Sequence, residues 1–397
     1  MRNVVTGQGA HSVVSLFSGC GGLDLGFIWA GYNIIWANDS SPNAVQTYKE
    51  NLGDHILLGD IKKLNLDQVP DCEIIIGGPP CQAFSLVGKR DPEDPRGNLV
   101  WNFYEVVEMK RPKVFLMENV TGLKAAKDSE GVSVLPELLR LFNNLGYSVN
   151  YFILNAADYG VPQRRRRIFI VGNRDGQQIP IPEPTHTHDL SRQPFIGQRQ
   201  HWITCRDALD DLSTPRTDSD AGHYKKVPDC TYQELMRAEN NDTVRNHQMP
   251  YMSETDLKII RAVPVGGNYM DVPDDIATQR IKNFKKTGGR TTTYGRMDPS
   301  KPTYTLNTHF SRPNVGCNIH YREDRLITIR EGMRIQSFPD RFVVYSTSKR
   351  GAYEQVGNAV PPLLAQAIAR HLLGFLKDHH GTNRKSSTDH APTRKEI

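Results

Sequence analysis

One cysteine in this 397-residue chain is set up to do chemistry: Cys81, within Gly77-Gly78-Pro79-Pro80-Cys81-Gln82-Ala83-Phe84-Ser85. Ile74, Ile75 and Ile76 before it read as a buried strand. The two glycines and two prolines end that strand in a stiff turn. The thiol then stands at the carboxyl edge of a sheet, where open α/β folds bind ligands. Presented so rigidly, it reads as a nucleophile, which needs thiolate character, more than as packing. Glu118-Asn119-Val120 follows a strand at 114–117 and reaches the same edge. A partly buried carboxyl there has a raised pKa and can donate a proton, although a Glu-Asn pair at a strand end also caps helices. Gln163-Arg164-Arg165-Arg166-Arg167 leads straight into an apolar strand. If extended, Arg165 and Arg167 share one face, and Arg164 and Arg166 the other. Most arginine runs are solvated. Here one face can meet an anionic ligand or Glu118, and guanidinium geometry suits a phosphate or a base carbonyl.

A ligand cradle lies upstream. Phe17-Ser18-Gly19-Cys20-Gly21-Gly22 separates the first strand from a helix that begins near Leu23. Glycines there allow a sharp turn and a close backbone approach. Asp39 ends the second strand about 20 residues later, where a carboxylate accepts hydrogen bonds from a ribose. Such a turn serves nicotinamide cofactors, flavins and S-adenosylmethionine alike, or simply lets a strand and a helix pack tightly. Asp60, after the third strand, either binds an adenine amino group or caps a turn.

The elements that must position these groups alternate. Strand-like segments at 13–17, 34–37, 56–58, 73–76, 114–117, 147–154 and 167–171 are interleaved with helical ones at 23–30, 42–51, 99–109 and 135–145. Repeated βα alternation predicts an α/β fold with a doubly wound, mostly parallel sheet. From about 174 to 291 the alternation dissolves into short polar stretches and prolines, which predicts a second, smaller, irregular domain containing a basic loop at 283–289. An apolar-periodic helix at 363–376 is expected to pack back on the first domain, and the polar stretch 377–397 to be a disordered tail.

Composition sets the outer limits. With 38% hydrophobic and 23% charged residues, the chain has the makeup of an ordinary globular protein. The first twelve residues lack the apolar core of a secretory signal, and no apolar run approaches the roughly 18 residues of a membrane span. A cytoplasmic protein without a membrane partner is expected. The six cysteines include no CxxC pair, so a zinc site or redox dithiol is not expected. A net charge of +5 suits a nucleic-acid partner without requiring one.

Taken together, the motifs resemble the DNA (cytosine-5)-methyltransferases of bacterial restriction–modification (type II) systems. The family's ordered segments recur as Phe17 to Gly22, Gly59-Asp60-Ile61, Gly78 to Gln82, Arg96-Gly97-Asn98-Leu99, Glu118-Asn119-Val120, Pro162-Gln163 with the arginines, Arg296 to Thr305, Arg330-Glu331 through Phe338-Pro339-Asp340, and Gln355-Val356-Gly357-Asn358-Ala359-Val360. They span about 12 to 375. The resemblance implies a Rossmann-like class I S-adenosylmethionine-dependent fold. It divides the chain into a catalytic domain at 12–173, a target-recognition domain at 174–290, a return segment at 291–376 and a tail at 377–397.

It also implies roles. Cys81 attacks C6 of a cytosine flipped out of duplex DNA, Glu118 holds the base by N3 and its amino group, and Arg167 with Arg165 contacts the base carbonyl or orients Glu118. S-adenosylmethionine would lie against Phe17, Ser18, Gly19, Gly21, Gly22, Leu23, Asp39, Ser40, Asp60, Ile61, Pro80, Leu99 and Asn358. Two positions depart from the family pattern: Asp39 stands where Glu is frequent, and Ser40 where a bulky side chain is frequent. DNA contacts are expected from Ser85, Lys89 and Arg90 in and before a mobile lid, from Gln163, and from Lys282, Lys285, Lys286 and Arg290 on phosphates. The protein would act on double-stranded DNA as a monomer, with a cognate restriction endonuclease sharing its site but not bound to it. RNA-methylating enzymes of the same fold carry a short recognition region, often with Cys-Phe-Thr, which 174–290 lacks. A dehydrogenase or a noncatalytic DNA-binding protein would leave Cys81, Glu118 and the arginines unexplained.

Overall fold

The structure is a computed structural model, and it describes residues 11–80, 99–128, 131–192, 199–239 and 242–385. Alternation does build the first part: β1 (Ser12–Leu16), α1 (Gly22–Trp29), β2 (Asn33–Asp39), α2 (Pro42–Leu52), β3 (Ile56–Leu58), β4 (Ile74–Gly77), α3 (Leu99–Lys110), β5 (Val114–Val120), α4 (Val134–Asn144), β6 (Ser148–Asn155), a two-residue β7 (Gln163–Arg164) and β8 (Arg166–Asn173). Among the described residues seven strands form one sheet, in the order β3-β2-β1-β4-β5-β8-β6. Its pairs from β3 to β5 are parallel. Only β8 is reversed, lying antiparallel to both β5 and β6. The reversal follows from its connection: a short 3-10 turn and β7 separate β6 from β8, with no crossover helix to return the chain to the other end.

The isoleucines of β4 show how the layers are set. Side chains alternate across a strand. Ile74 and Ile76 pack in a cluster with Leu23 and Phe27 of α1 and with Leu364, Ile368 and Leu372. Ile75 faces the opposite cluster, with Phe103 of α3 and Leu138 and Phe142 of α4. The strand order switches direction between β1 and β4, and Leu16 pairs with Gly77 while Gly77 pairs with Met117. The turns after β1 and β4 and the end of β5 therefore open into one crevice, the usual ligand position in such sheets.

Beyond Asn173 the chain forms short helices: α5 (Cys205–Leu209), α6 (Thr231–Arg237), α7 (Glu254–Ala262), α8 (Gln279–Thr287) and α9 (Ile329–Ile335). Capping boxes start three of them, from Thr204 and Asp207, Ser253 and Asp256, and Thr328 and Glu331. Residues 283–287, expected in a loop, belong to α8, where Thr278 caps the start and Ile281 and Phe284 share one face.

The chain then returns through α10 (Lys349–Asn358) and α11 (Pro362–Lys385). α11 lies on α1 as its apolar period predicts, but it runs past the expected boundary at 377 because no proline interrupts it. The stretch 349–377 is long and apolar enough to cross a membrane by composition alone. Its apolar face is already used, since Leu364, Ile368, Leu372 and Leu376 are buried in the sheet's first layer.

Candidate active site

The crevice is a cleft of about 1970 Å³, lined by the turns after β1, β2, β4 and β5, by the arginines entering β8, and by segments 304–309, 314–316 and 357–360. On the cradle side, Phe17 and Gly19 take positive φ values of 54° and 56°. A non-glycine residue held there is strained, a feature concentrated at ligand sites. A Cβ on Gly19 would meet nothing within 4 Å, so this glycine leaves room in the cleft. Gly21 and Gly22 are glycine for another reason: a Cβ would lie 2.4 Å from Leu52 or 2.3 Å from the Val360 carbonyl, respectively. Asp39 accepts hydrogen bonds from the N–H groups of Gly19 and Ser41, both at 2.8 Å. Burial raises its pKa, and those N–H groups oppose the rise. Its short side chain thus braces the glycine turn from the neighbouring strand. Asp60 caps the 3-10 turn that follows it through Lys62 N–H at 3.1 Å while also lining the cleft. Ile61 is buried beside it.

On the other side, Glu118 lies near the end of β5 almost wholly buried, and Arg167 Nε lies 3.0 Å from its carboxylate. Burial raises the Glu118 pKa against the opposing charges of Arg167 and Arg165. A buried carboxyl with that tendency can both donate and accept a proton. Gly78 sits in front of it, where a Cβ would come within 3.3 Å of Glu118 Oε2. The neighbouring Asn119 donates from Nδ2 to the Pro79 carbonyl at 3.1 Å. Asn119 therefore ties the Gly-Pro-Pro turn to the strand that carries Glu118. In the sequence, its place in Glu-Asn-Val is the one signal of this positioning role.

The arginines divide the work. Arg165 is buried, and its guanidinium donates to the carbonyls of Leu306 at 3.0 Å and Gly357 at 2.9 Å. Arg164 stacks over Tyr304 at 4.2 Å, and Arg166 is exposed. Arg165 and Arg167 both line the cleft, but only Arg167 has an ion-pair contact with Glu118 among the described residues, while Arg165 ties Leu306 and Gly357 to the sheet.

A family model of C-5 cytosine-specific DNA methylases matches residues 11–374. The chain belongs to this family. The methylase is similar to the type II methyltransferase M.NgoFVII of Neisseria gonorrhoeae, at 34% identity over 388 residues, 96% of this chain and 91% of that protein. M.DdeI of Desulfomicrobium norvegicum is 34% identical over 385 residues, 92% and 89% of the two chains. Among solved structures, a prophage-encoded E. coli protein assigned as a DNA modification methyltransferase matches with a TM-score of 0.69 and 25% identity, covering 93% of this chain and all of its own. The S. pombe Dnmt2 methyltransferase, at 18% identity and a TM-score of 0.54 over 93% of this chain and 99% of its own, shares the fold. The sheet with its single reversed strand is the class I methyltransferase fold, and the enzyme is a DNA (cytosine-5)-methyltransferase. Its family and fold imply use of S-adenosylmethionine and a DNA substrate. The match to a DNA methylase family weighs against the RNA-methylating alternative.

The methylase's cleft gathers Phe17, Ser18, Gly19, Gly22, Leu23, Asp39, Ser40, Asp60, Ile61, Pro80, Leu99 and Asn358 with Glu118, Arg165 and Arg167. Gly21 instead packs on Tyr48 and Leu52 behind the turn. Cys81, Ser85, Lys89 and Arg90 lie outside the described residues. Gln163, expected at DNA, is fully buried: its Nε2 donates to Gln336 Oε1 at 2.8 Å and its Oε1 accepts from Leu306 N–H at 2.9 Å. An amide satisfied on both ends in the core cannot also reach a base. Lys285 is likewise engaged, with Asp274 at 2.8 Å and the Val272 carbonyl at 2.6 Å. Arg290 lines the cleft with Phe284. No cluster of His, Cys, Asp and Glu able to hold a metal occurs among the described residues.

Proposed function

We propose that the methylase modifies one cytosine within a specific duplex sequence, as the protective partner of a type II restriction endonuclease that reads the same site without binding it, and that it works as a monomer. The observation that carries the chemistry is the buried Glu118–Arg167 pair facing the Gly78-Pro79-Pro80 turn. In this reading the thiolate of Cys81 adds to C6 of the flipped base. Protonated Glu118 donates to N3 and drains electron density from the ring, and Arg167 donates to the base carbonyl. The new Cys81–C6 bond leaves C5 nucleophilic. After C5 is methylated, a water takes the C5 proton, the C5–H electrons restore the C5=C6 bond and expel Cys81 as thiolate, and N3 returns its proton to Glu118.

The cradle fits S-adenosylmethionine, which supplies an electrophilic methyl group when bound. The glycine turn at Gly19, the strained Phe17, the carboxylates of Asp39 and Asp60, the apolar Ile61 and Leu99 and the exposed Asn358 would hold it, with Ser18, Gly22, Leu23, Ser40 and Pro80 around them. Lys282, Lys286 and Arg290 are proposed phosphate contacts on the recognition side.

Duplex DNA with 5-fluorocytosine in varied contexts, incubated with S-adenosylmethionine, tests this. A denaturation-resistant protein–DNA adduct is expected, absent in Cys81→Ser and slowed in Glu118→Gln. Because burial raises the Glu118 pKa, the rate should carry a limb that falls as pH rises through its titration, and Glu118→Gln should lose that limb. Folded wild-type protein that forms no adduct in any context overturns the reading.

A further inference from the structure

A second cavity, of about 510 Å³, adjoins the main cleft, and Thr308, His309 and Arg350 line both. Its size is that of a small-ligand site. Three separate segments wall it: 248–251, 308–312 and 344–353. The wall is held in place from behind. Asn246, at φ 62°, exchanges hydrogen bonds with the Val344 backbone in both directions, at 3.0 and 2.8 Å.

The chemistry of the rim is lopsided. Arg312 and Lys349 are exposed and make no ion pair among the described residues. Asp220 is the one carboxylate on the lining, and its Oδ2 accepts from Asn246 N–H at 3.0 Å. Tyr251, also on the lining, is 86% exposed. Cations that track a phosphate backbone, together with an aromatic ring able to stack on any base, are the recurring components of sites for unstacked or single-stranded nucleic acid.

We propose that this pocket is a second nucleotide subsite of the methylase, in which Arg312 and Lys349 bind a backbone phosphate and Tyr251 stacks on a base, of a strand that leaves the main cleft past His309 and Arg350. The subsite rests on the DNA-methylating reading and adds a place for a nucleotide other than the target cytosine. It predicts that affinity for DNA depends on residues remote from Glu118 and Arg167.

The test is equilibrium binding of a duplex carrying the methylation site mapped by bisulfite sequencing, across a salt series. Arg312→Ala with Lys349→Ala should lower the slope of log affinity against log salt by roughly 0.9 for each phosphate that is no longer neutralised. Tyr251→Ala should weaken binding about ten-fold, and Tyr251→Phe should restore it. Thermal unfolding and S-adenosylmethionine binding should match the wild type, since all three side chains are exposed. Wild-type affinity and slope in every variant, while the Cys81-dependent adduct still forms, would sink the subsite and leave the catalytic reading standing. No adduct from the wild-type protein removes the catalytic reading, and the subsite falls with it.

Discussion

Along β4, Ile74, Ile75 and Ile76 are buried by two opposite layers of apolar side chains. Along α9 and the turn after it, by contrast, the buried side chains include Arg330, Glu331, Arg334 and Asp340. Arg334 forks onto Asp340, both bonds at 2.6 Å, and onto Asp211 at 3.1 and 3.2 Å. Arg330 donates to the carbonyls of Arg245, Pro339 and Phe342. Arg325 grips Glu331 with two bonds at 2.7 Å. Arg296 holds Asp324 and the carbonyls of Ile260 and Val263. The sheet half coheres through non-directional burial, whereas the half beyond Asn173 relies heavily on guanidinium forks that fix loops at defined angles. The first tolerates a change of shape. The second does not tolerate loss of a partner, because what remains is a buried, unpaired charge.

The largest expected effect follows from that contrast. Arg334→Met leaves Asp211 and Asp340 without their shared cation and should cost about 3–5 kcal/mol in urea unfolding. Ile75→Val, a loss of one buried methyl group in the sheet, should cost about 1 kcal/mol. Equal costs would mean that the ion pairs are no more brittle than the apolar core.

The next effect concerns the sign of the pH dependence. Glu331 and Asp340 are buried, but Arg325 and Arg334 respectively outweigh that burial and hold their pKa values down. Their contribution to stability is present above the unfolded carboxylate values and is lost as pH falls through the folded ones. Asp24, beneath the cradle, behaves oppositely. It is buried with hydrogen bonds from Ser15 and Tyr48 but makes no ion pair among the described residues, and burial raises its pKa from 3.8 to about 6. Its contribution is complete below pH 3.8 and is lost as pH rises through about 6. Asp24→Asn should therefore gain stability over the wild type at alkaline pH, by up to about 3 kcal/mol, with the gain vanishing in acid. A gain that is the same at every pH would show that Asp24 does not titrate in this range.

The same contrast explains what could be read in advance. Apolar periodicity reports burial between layers, so the strands, the doubly wound sheet and the placement of Glu118 at its edge were legible. Nothing periodic marks Arg330 or Arg334, because a residue held by forks and backbone carbonyls depends on partners distant in sequence. For that reason the sequence does not show that Gln163 is used up in the core, or that Arg165, though on the cleft, is tied down, since their partners Leu306, Gln336 and Gly357 lie far along the chain. The helix at 279–287 was legible in principle from Thr278 and the Ile281–Phe284 spacing, but Gly288, Gly289 and the lysines obscured it.

The smallest effect separates the buried arginines from the surface lysines of the same half. Lys285 and Asp274 form a 2.8 Å pair whose carboxylate is largely exposed. Solvent and salt screen such a pair, so Lys285→Ala should cost less than about 1 kcal/mol. Its ammonium is already neutralised by Asp274, and a phosphate would have to displace that carboxylate to bind there. Lys285→Ala should thus change the salt dependence of DNA binding less than Lys282→Ala does, as measured on one duplex across a salt series. If the two variants lose equal slope, the Lys285–Asp274 pair opens when DNA binds, and surface charge in this half is more adaptable than its buried counterpart.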